Sequence, residues 1–210
     1  MKKLVVTGVM MVALVVPLGC SGGSDDGGLP TLGGDSNSTE APTSAPTEAP
    51  TTPITTGPTS PPAGLPSKTV AVHRRKVTAT TAEQKAAADA FLNYLLVRLT
   101  AYNKASVDVD ALGRVASGKA LTEVTSYVTE LKSRKHHAIG EIWVDISSIA
   151  VKGSTATLKS CMDNTSLDAD AAGKPVEDLV PYLSATGTLQ KAGGTVWVVS
   201  NISFVEQRCK

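Results

Sequence analysis

Several features that would identify a function are scarce or missing in this 210-residue chain. Aromatic residues make up only 4% of it, and 20 Lys and Arg against 19 Asp and Glu leave a net charge of +1. Binding to nucleic acid needs a concentrated basic face and usually stacking aromatic rings, so this balance argues against a nucleic-acid partner. Residues 69–210 contain no nucleophile elbow of the Gly-x-Ser-x-Gly type and no phosphate-binding glycine loop. The sequence therefore does not identify a reaction.

No apolar run is long enough to cross a membrane comfortably, which takes about 20 residues. The longest run, residues 4–19, follows Lys2 and Lys3 and ends at Gly19-Cys20. A short apolar run behind a positive start is typical of a cleavable export signal. Gly19-Cys20 resembles the end of bacterial lipoprotein signals, in which the cysteine thiol takes a diacylglycerol, although Pro17 stands where such signals commonly have Leu. An ordinary secreted protein and an uncleaved signal anchor remain the alternatives.

This pattern predicts where the protein is located. Residues 1–19 are expected to be a lipoprotein signal peptide, and Cys20 is the expected lipidation site. A diacylated Cys20 would anchor the chain in the membrane without help, because two acyl chains suffice for stable attachment. The expected location is the outer face of the bacterial cell membrane. The basic run of residues 73–76 could add attraction to lipid headgroups, but a solvated charge run at the domain edge is the favoured interpretation.

Residues 20–68 are predicted to be a disordered stalk. They contain no apolar periodicity and include a tandem Thr-x-Ala-Pro repeat over residues 39–50. A segment rich in Thr, Pro, Ser and Gly cannot bury enough apolar surface to offset the entropy of ordering. We therefore expect it to hold the following domain, residues 69–210, away from the surface.

The first half of that domain predicts three helices. Thr80-x-x-Glu83 is a capping-box pattern, and the spacing of apolar residues behind it predicts a helix over about 81–103. A short helix over 108–116 and a third helix starting at 117 or 118 follow. The core-facing residues of the first helix are expected to be Phe91, Leu95, Leu99 and Tyr102.

After Gly140 the apolar period changes to two, which predicts strands. Strands are expected from residue 142, over 155–162, from 183 and over 195–205, with a bulge at Ser147-Ser148. Helices followed by an antiparallel meander indicate an α+β fold: three N-terminal helices packed on one face of a curved sheet of about four antiparallel strands.

Two short motifs carry a family resemblance. With this order of elements, the stretch Gly193 to Val199 and the Cys-Met-Asp of residues 161–163 are similar to small actinobacterial lipoproteins. The domains of those proteins belong to the nuclear transport factor 2-like superfamily, which has a cone-shaped α+β fold. The resemblance implies that fold. It implies no activity, because the motifs are packing motifs and the catalytic signature of the superfamily's enzymes is absent.

The two remaining cysteines, Cys161 and Cys209, are expected to form a disulfide. Thiols outside the membrane tend to pair, and an even number is left once Cys20 is assigned to lipid. Closing the loop of about 48 residues between Cys161 and Cys209 would stabilise the fold by about 4 kcal/mol in the chain-entropy model. A redox pair is the alternative, but there is no Cys-x-x-Cys motif to support it.

Candidate metal and acid–base residues are few. His136 and His137 with Glu141 or Asp145 could offer metal ligands, but adjacent residues point in different directions, so neither a metal nor any other cofactor is assigned. His73, the third histidine, is assigned no role. Some nuclear transport factor 2-like enzymes use an Asp base with Tyr donors, and the residues here that could take those parts are Asp145, Asp163, Tyr94, Tyr102 and Tyr127.

Two functional hypotheses follow. The first is a non-catalytic binding or interaction module that contacts an envelope protein or a small apolar ligand. The second is a pocket enzyme of the isomerase or dehydratase kind. A closed apolar pocket with an Asp and a Tyr pointing into it would favour the second.

Overall fold

The computed structural model describes residues 66–208. The predicted signal peptide, Cys20, nearly all of the stalk and Cys209 lie outside this range. Among the described helices, none combines the length and the apolar character that crossing a membrane requires. The secondary structure in chain order is β1 (Val70–Val77), α1 (Ala82–Lys104), α2 (Val109–Val115), α3 (Gly118–Arg134), β2 (His137–Lys152), β3 (Thr155–Asn164), β4 (Leu167–Ala169), β5 (Tyr182–Ala192) and β6 (Val196–Glu206).

The fold is α+β, but the predicted arrangement of its elements is wrong. The sheet has six strands in place of about four, and it is mixed in place of antiparallel. Strand β1 precedes the helices and pairs in parallel with β2, so the helices do not open the domain. The main path runs β1-β2-β3-β5-β6, and β4 pairs with the first residues of β2.

Composition and length explain why two strands were missed. In β1, His73 and three basic residues follow one another, which hides the alternation that marks a strand. The run that the sequence suggested to be solvated surface is therefore inside an edge strand. Strand β4 has only three residues, too few to show any period.

The helices lie where the spacing placed them, with one correction at the start of α1. Thr81, not Thr80, is the N-cap: its side chain accepts a hydrogen bond from the backbone N–H of Gln84, at 3.1 Å. The Gln84 side chain accepts in return from the N–H of Thr81. Both Thr80-x-x-Glu83 and Thr81-x-x-Gln84 satisfy the capping-box pattern, and the structure uses the second.

The main core lies between the helices and one face of the sheet. Phe91, Leu95, Leu99 and Tyr102 of α1 are buried there, as predicted. On β3, alternate residues from Ala156 to Met162 face the same core, and Cys161 lies on the opposite face. The predicted bulge is present, because the pairing of β2 with β3 shifts register between Ile146 and Ser148.

The pairing partners of β2 change at Gly140. Residues 137–139 pair with β4, whereas β1 pairs along β2 from Gly140 onward. Gly140 has φ +93°, and a Cβ added there would overlap the Thr165 carbonyl group and lie 2.9 Å from the Cα of Ser166. This position therefore needs glycine for both its backbone conformation and its space.

Candidate functional site

A groove with a cavity of about 360 Å³ lies between α1 and α2. We call it the α1–α2 groove. Its floor is formed by three buried apolar residues, Ala101, Leu112 and Val115. Its walls come from both helices and the loop between them. Four wall residues are apolar and half-buried: Leu96, Val97, Val107 and Ala111. Asn93, Thr100 and Ser106 add uncharged polar groups to the lining. The volume falls at the lower end of the range of small-molecule sites.

The groove exists because α1 is apolar on two sides. Leu95 packs into the main core, and Val97 lies about 200° further around the helix. A helix with only one apolar stripe would carry polar residues at Leu96 and Val97. Helix α2 packs on this second side and covers part of it. Asp108 caps α2 by accepting a hydrogen bond from the N–H of Ala111 at 2.9 Å, which fixes where the short helix begins.

Charged side chains stand at the rim of the groove. Lys104 lies in the last turn of α1 and Arg114 in the last turn of α2, and both are exposed. Within residues 66–208, neither forms an ion pair with a carboxylate. The capping carboxylate of Asp108 also lines the groove, so the rim carries two positive charges and one negative charge.

The three candidate tyrosines lie on the helix side of the sheet, in and around the main core. Tyr102 packs edge-on against Tyr127, with ring centres 4.7 Å apart. The Tyr127 hydroxyl donates a hydrogen bond to Oδ2 of Asp168 at 2.8 Å. Burial raises the pKa of Tyr127, and this hydrogen bond raises it further. Asp168, in the short strand β4, is a partner that the sequence did not point to.

Tyr94 is the most deeply buried of the three. Desolvation is the main cause of its raised pKa, and the nearby Arg98 guanidinium opposes that shift. Its hydroxyl has no hydrogen-bond partner among the described residues. Arg98 donates to Glu123 at 3.0 Å and stacks on the rings of Tyr102 and Phe204. The result is a compact polar cluster within the helix-facing half of the domain.

The two candidate aspartates lie on the opposite face of the sheet. Arg75 bridges them, with Nη2 2.7 Å from Oδ2 of Asp145 and Nη1 2.6 Å from Oδ2 of Asp163. The backbone N–H of Lys76 also donates to Asp145. Because side chains alternate across a strand, the sheet separates these carboxylates from the tyrosines. The structure therefore does not assemble the acid–base set that the sequence suggested.

A small polar cavity of about 180 Å³ lies beside this charge cluster. Its lining includes Cys161, Tyr182 and Arg208. The Arg208 guanidinium stacks on the Tyr182 ring at 4.7 Å. Cys209, the expected partner of Cys161, follows Arg208 directly in the sequence but lies beyond the described part of the chain. The Cys161–Cys209 disulfide therefore stays a prediction, although the chain comes close to Cys161 just before residue 209.

The histidines do not gather at one site. His73 is buried in β1, with Nε2 2.6 Å from Oε2 of Glu141 and its ring stacked on Trp143 at 4.6 Å. His136 lies between α3 and β2, and His137 is the first residue of β2. Among residues 66–208, no group of three or more His, Cys, Asp or Glu side chains could hold a metal ion.

Comparison with known proteins gives a likeness in structure only. Neither a protein family nor a curated protein matches the sequence. Among solved structures, the chain is similar to the intermembrane space region of the chloroplast protein ARC6, with 12% identity, 61% of this chain and 98% of that chain covered, and a TM-score of 0.49.

Two further similar structures come from bacteria. One is a ketosteroid isomerase-like protein of Erwinia carotovora atroseptica, with 14% identity, 60% and 96% coverage and a TM-score of 0.40. The other is a nuclear transport factor 2-like protein of unknown function from Cytophaga hutchinsonii, with 13% identity, 53% and 87% coverage and a TM-score of 0.23. These two carry the names of the superfamily that the sequence resembles. At such identities, nothing about ligand or activity passes to this chain.

Proposed function

We propose that this protein is a lipid-anchored module on the outer face of the bacterial cell membrane, and that its domain binds a small apolar ligand in the α1–α2 groove without catalysing a reaction. The Cys20 pattern and the Pro-rich segment after it support the anchor and the stalk. A Cys161–Cys209 disulfide suits the same oxidising location. The role of the domain rests on the groove.

The observation that carries the binding role is the apolar lining of the groove. Leu96 and Val97 of α1 and Val107 of the following loop are half-buried and line the groove. Covering such side chains with an apolar ligand is favourable by about 25 cal/mol for each Å² removed from water.

The candidate aspartates and Tyr182 line the small polar cavity together, but Arg75 pairs with both carboxylates there, which favours a non-catalytic role. Tyr127 and Asp168 are the one hydrogen-bonded Tyr–Asp pair of residues 66–208, and neither lines either of the cavities described above. A general base must reach the proton that it removes, directly or through one water. A substrate held in the groove would therefore not contact this pair.

A groove-filling variant tests the proposal. The neutral fluorescent probe N-phenyl-1-naphthylamine should bind the purified full-length protein, and Ala111→Phe should abolish the signal because the new ring occupies the cavity. Val97→Phe fills the same space from the opposite wall and should give the same result. Gly113→Ala is the matched control on α2, since a Cβ there meets no atom within 4 Å.

The outcome separates the possibilities. The proposal fails if the probe does not bind, or if both Phe variants bind it as well as the unmodified protein. Far-ultraviolet circular dichroism of each variant shows whether a lost signal comes from a filled groove or from an unfolded domain.

A further inference from the structure

We propose that the ligand of the α1–α2 groove is a single-chain amphiphile with an anionic head group, of the chemical class of a fatty acid. This inference rests on the proposed function and adds the chemistry of the occupant. The apolar chain would lie against the buried floor, and the head would lie at the rim, between Lys104 and Arg114.

Arg114 differs from most of the other described arginines. Four other arginines contact carboxylates: Arg74, Arg75, Arg98 and Arg134. Arg114 has no such partner in the described chain, although Asp110 lies four residues before it on the same helix, the spacing at which such pairs form. Its guanidinium is therefore available to an anion from outside, and such groups bind carboxylates through two parallel hydrogen bonds.

The arrangement of the lining matches an amphiphile better than a wholly apolar molecule. Ala101, Leu112 and Val115 are buried at the floor, whereas the charged residues of the lining are exposed. An apolar chain would displace water from the half-buried apolar walls, and an anionic head would stay partly hydrated near Lys104 and Arg114. The carboxylate of Asp108 opposes this attraction, which leaves the rim with one net positive charge.

Both cations also have a structural explanation that the test must separate from ligand binding. Lys104 and Arg114 are in the last turns of their helices, where a positive charge complements the helix dipole. That role predicts an effect on stability and none on ligand choice. Measurements of ligand choice therefore decide between the two roles.

Three ligands with the same ten-carbon chain distinguish the head groups: decanoate, decanol and decylammonium. Titration calorimetry on the full-length protein at neutral pH and low salt should rank decanoate first. The two ionic ligands are kept below their micelle-forming concentrations, and decanol is kept below its solubility limit. Exposed charge pairs support a preference of about two- to fivefold for each cation. Salt at 0.5 M should reduce the preference of decanoate over decanol, because exposed charges are screened.

The variants move the preference in opposite directions. Lys104→Gln and Arg114→Gln should each weaken decanoate two- to fivefold and leave decanol unchanged. Asp108→Asn keeps a good helix cap and removes the opposing charge, so it should strengthen decanoate. Arg134→Gln is the matched control, because Arg134 is exposed, near a helix end and paired with Glu130 outside the groove.

Chain length gives a second, independent readout. Each added CH₂ that the groove buries should tighten binding about fourfold from octanoate to decanoate. If decanol binds as well as decanoate and the Gln variants change nothing, the anionic head is wrong while groove binding stands. If decylammonium binds best, the sign of the head is wrong. If none of the three binds, the proposed function itself fails.

Discussion

Replacing Gly140 by alanine should be one of the most damaging single-methyl changes in this domain. Gly140 has φ +93°, a conformation that costs a residue with a side chain about 1–2 kcal/mol. The added Cβ would also overlap the Thr165 carbonyl group and lie 2.9 Å from the Cα of Ser166. Both neighbours are backbone, so they cannot move aside as the tip of a flexible side chain could.

The expected loss of stability combines these two effects. Overpacking typically costs about 1–3 kcal/mol, so Gly140→Ala should lower the free energy of unfolding by about 2–5 kcal/mol. Domains of this size are stable by only about 5–15 kcal/mol. The midpoint of thermal unfolding should fall by about 5–15 °C.

Two other glycines serve as matched controls. Gly153 also has a positive φ, of +59°, but a Cβ there meets nothing within 4 Å. Gly153→Ala should therefore cost only the backbone term, about 1–2 kcal/mol. Gly113 lies inside α2 in open space, and Gly113→Ala should stabilise the domain by about 0.5–1 kcal/mol.

Urea titration of the full-length protein, followed by tryptophan fluorescence and by circular dichroism, measures all three changes. The reasoning is refuted if Gly140→Ala costs no more than Gly153→Ala. That result would mean that the backbone near Thr165 relaxes freely and that the close approach does not constrain β2.

Four further predictions concern tyrosine and cysteine residues. In the same urea assay, Tyr127→Phe should lower the free energy of unfolding by about 1–3 kcal/mol, because it removes the hydrogen bond to the Asp168 carboxylate. Tyr94→Phe should be neutral or stabilising, because the Tyr94 hydroxyl is buried without a partner among the described residues. Equal losses of stability in the two variants would contradict this. Burial raises the pKa of both tyrosines above the ordinary 10.0. Their contribution to stability is therefore complete below pH 10 and is lost as the pH rises further. Urea denaturation at pH 9 and at pH 11 checks this. Cys20→Ser should release the protein from the membrane fraction, and retention would count against the lipid anchor. The exported protein should show no reactive thiol at Cys161 or Cys209 before reduction, and two such thiols would rule out the disulfide.

The regular helices and strands could be predicted because their apolar residues recur at a clear period. Phe91, Leu95 and Leu99 mark one face of α1, and the alternation from Ala156 to Met162 marks one face of β3. Each signal is local, so sequence spacing alone was enough. In β1 the same alternation exists, but basic residues fill it on both faces, because Arg74 pairs with Asp89 on α1 while Arg75 faces the other way.

The α1–α2 groove could not be predicted from periodicity. It depends on how α2 packs against α1, which is a tertiary contact between two helices of very different length. A signal was present in Leu96 and Val97, which are apolar on the side of α1 away from the predicted core stripe. Two apolar sides on one helix indicate a second packing surface, although not what covers it.

The contacts of the candidate acid–base residues could not be predicted from the sequence for a different reason. Alternation along β2 places Asp145 on the face away from the core, and the tyrosines lie on the other side of the sheet. Arg75, the partner of Asp145, lies in β1, a strand that could not be recognised from the sequence. Asp168 was missed because β4 has too few residues to be recognised.

The parallel pairing of β1 with β2 has a consequence for the order in which the domain folds. Val70 pairs with Gly140, so all three helices form between the first strand and its partner. Closing a loop of about 70 residues costs more entropy than forming a hairpin or a helix, and such distant contacts slow folding. We therefore expect β1 to be synthesised before the rest of the sheet and to join it late. Until it does, the edge of β2 is open to mispairing with other chains.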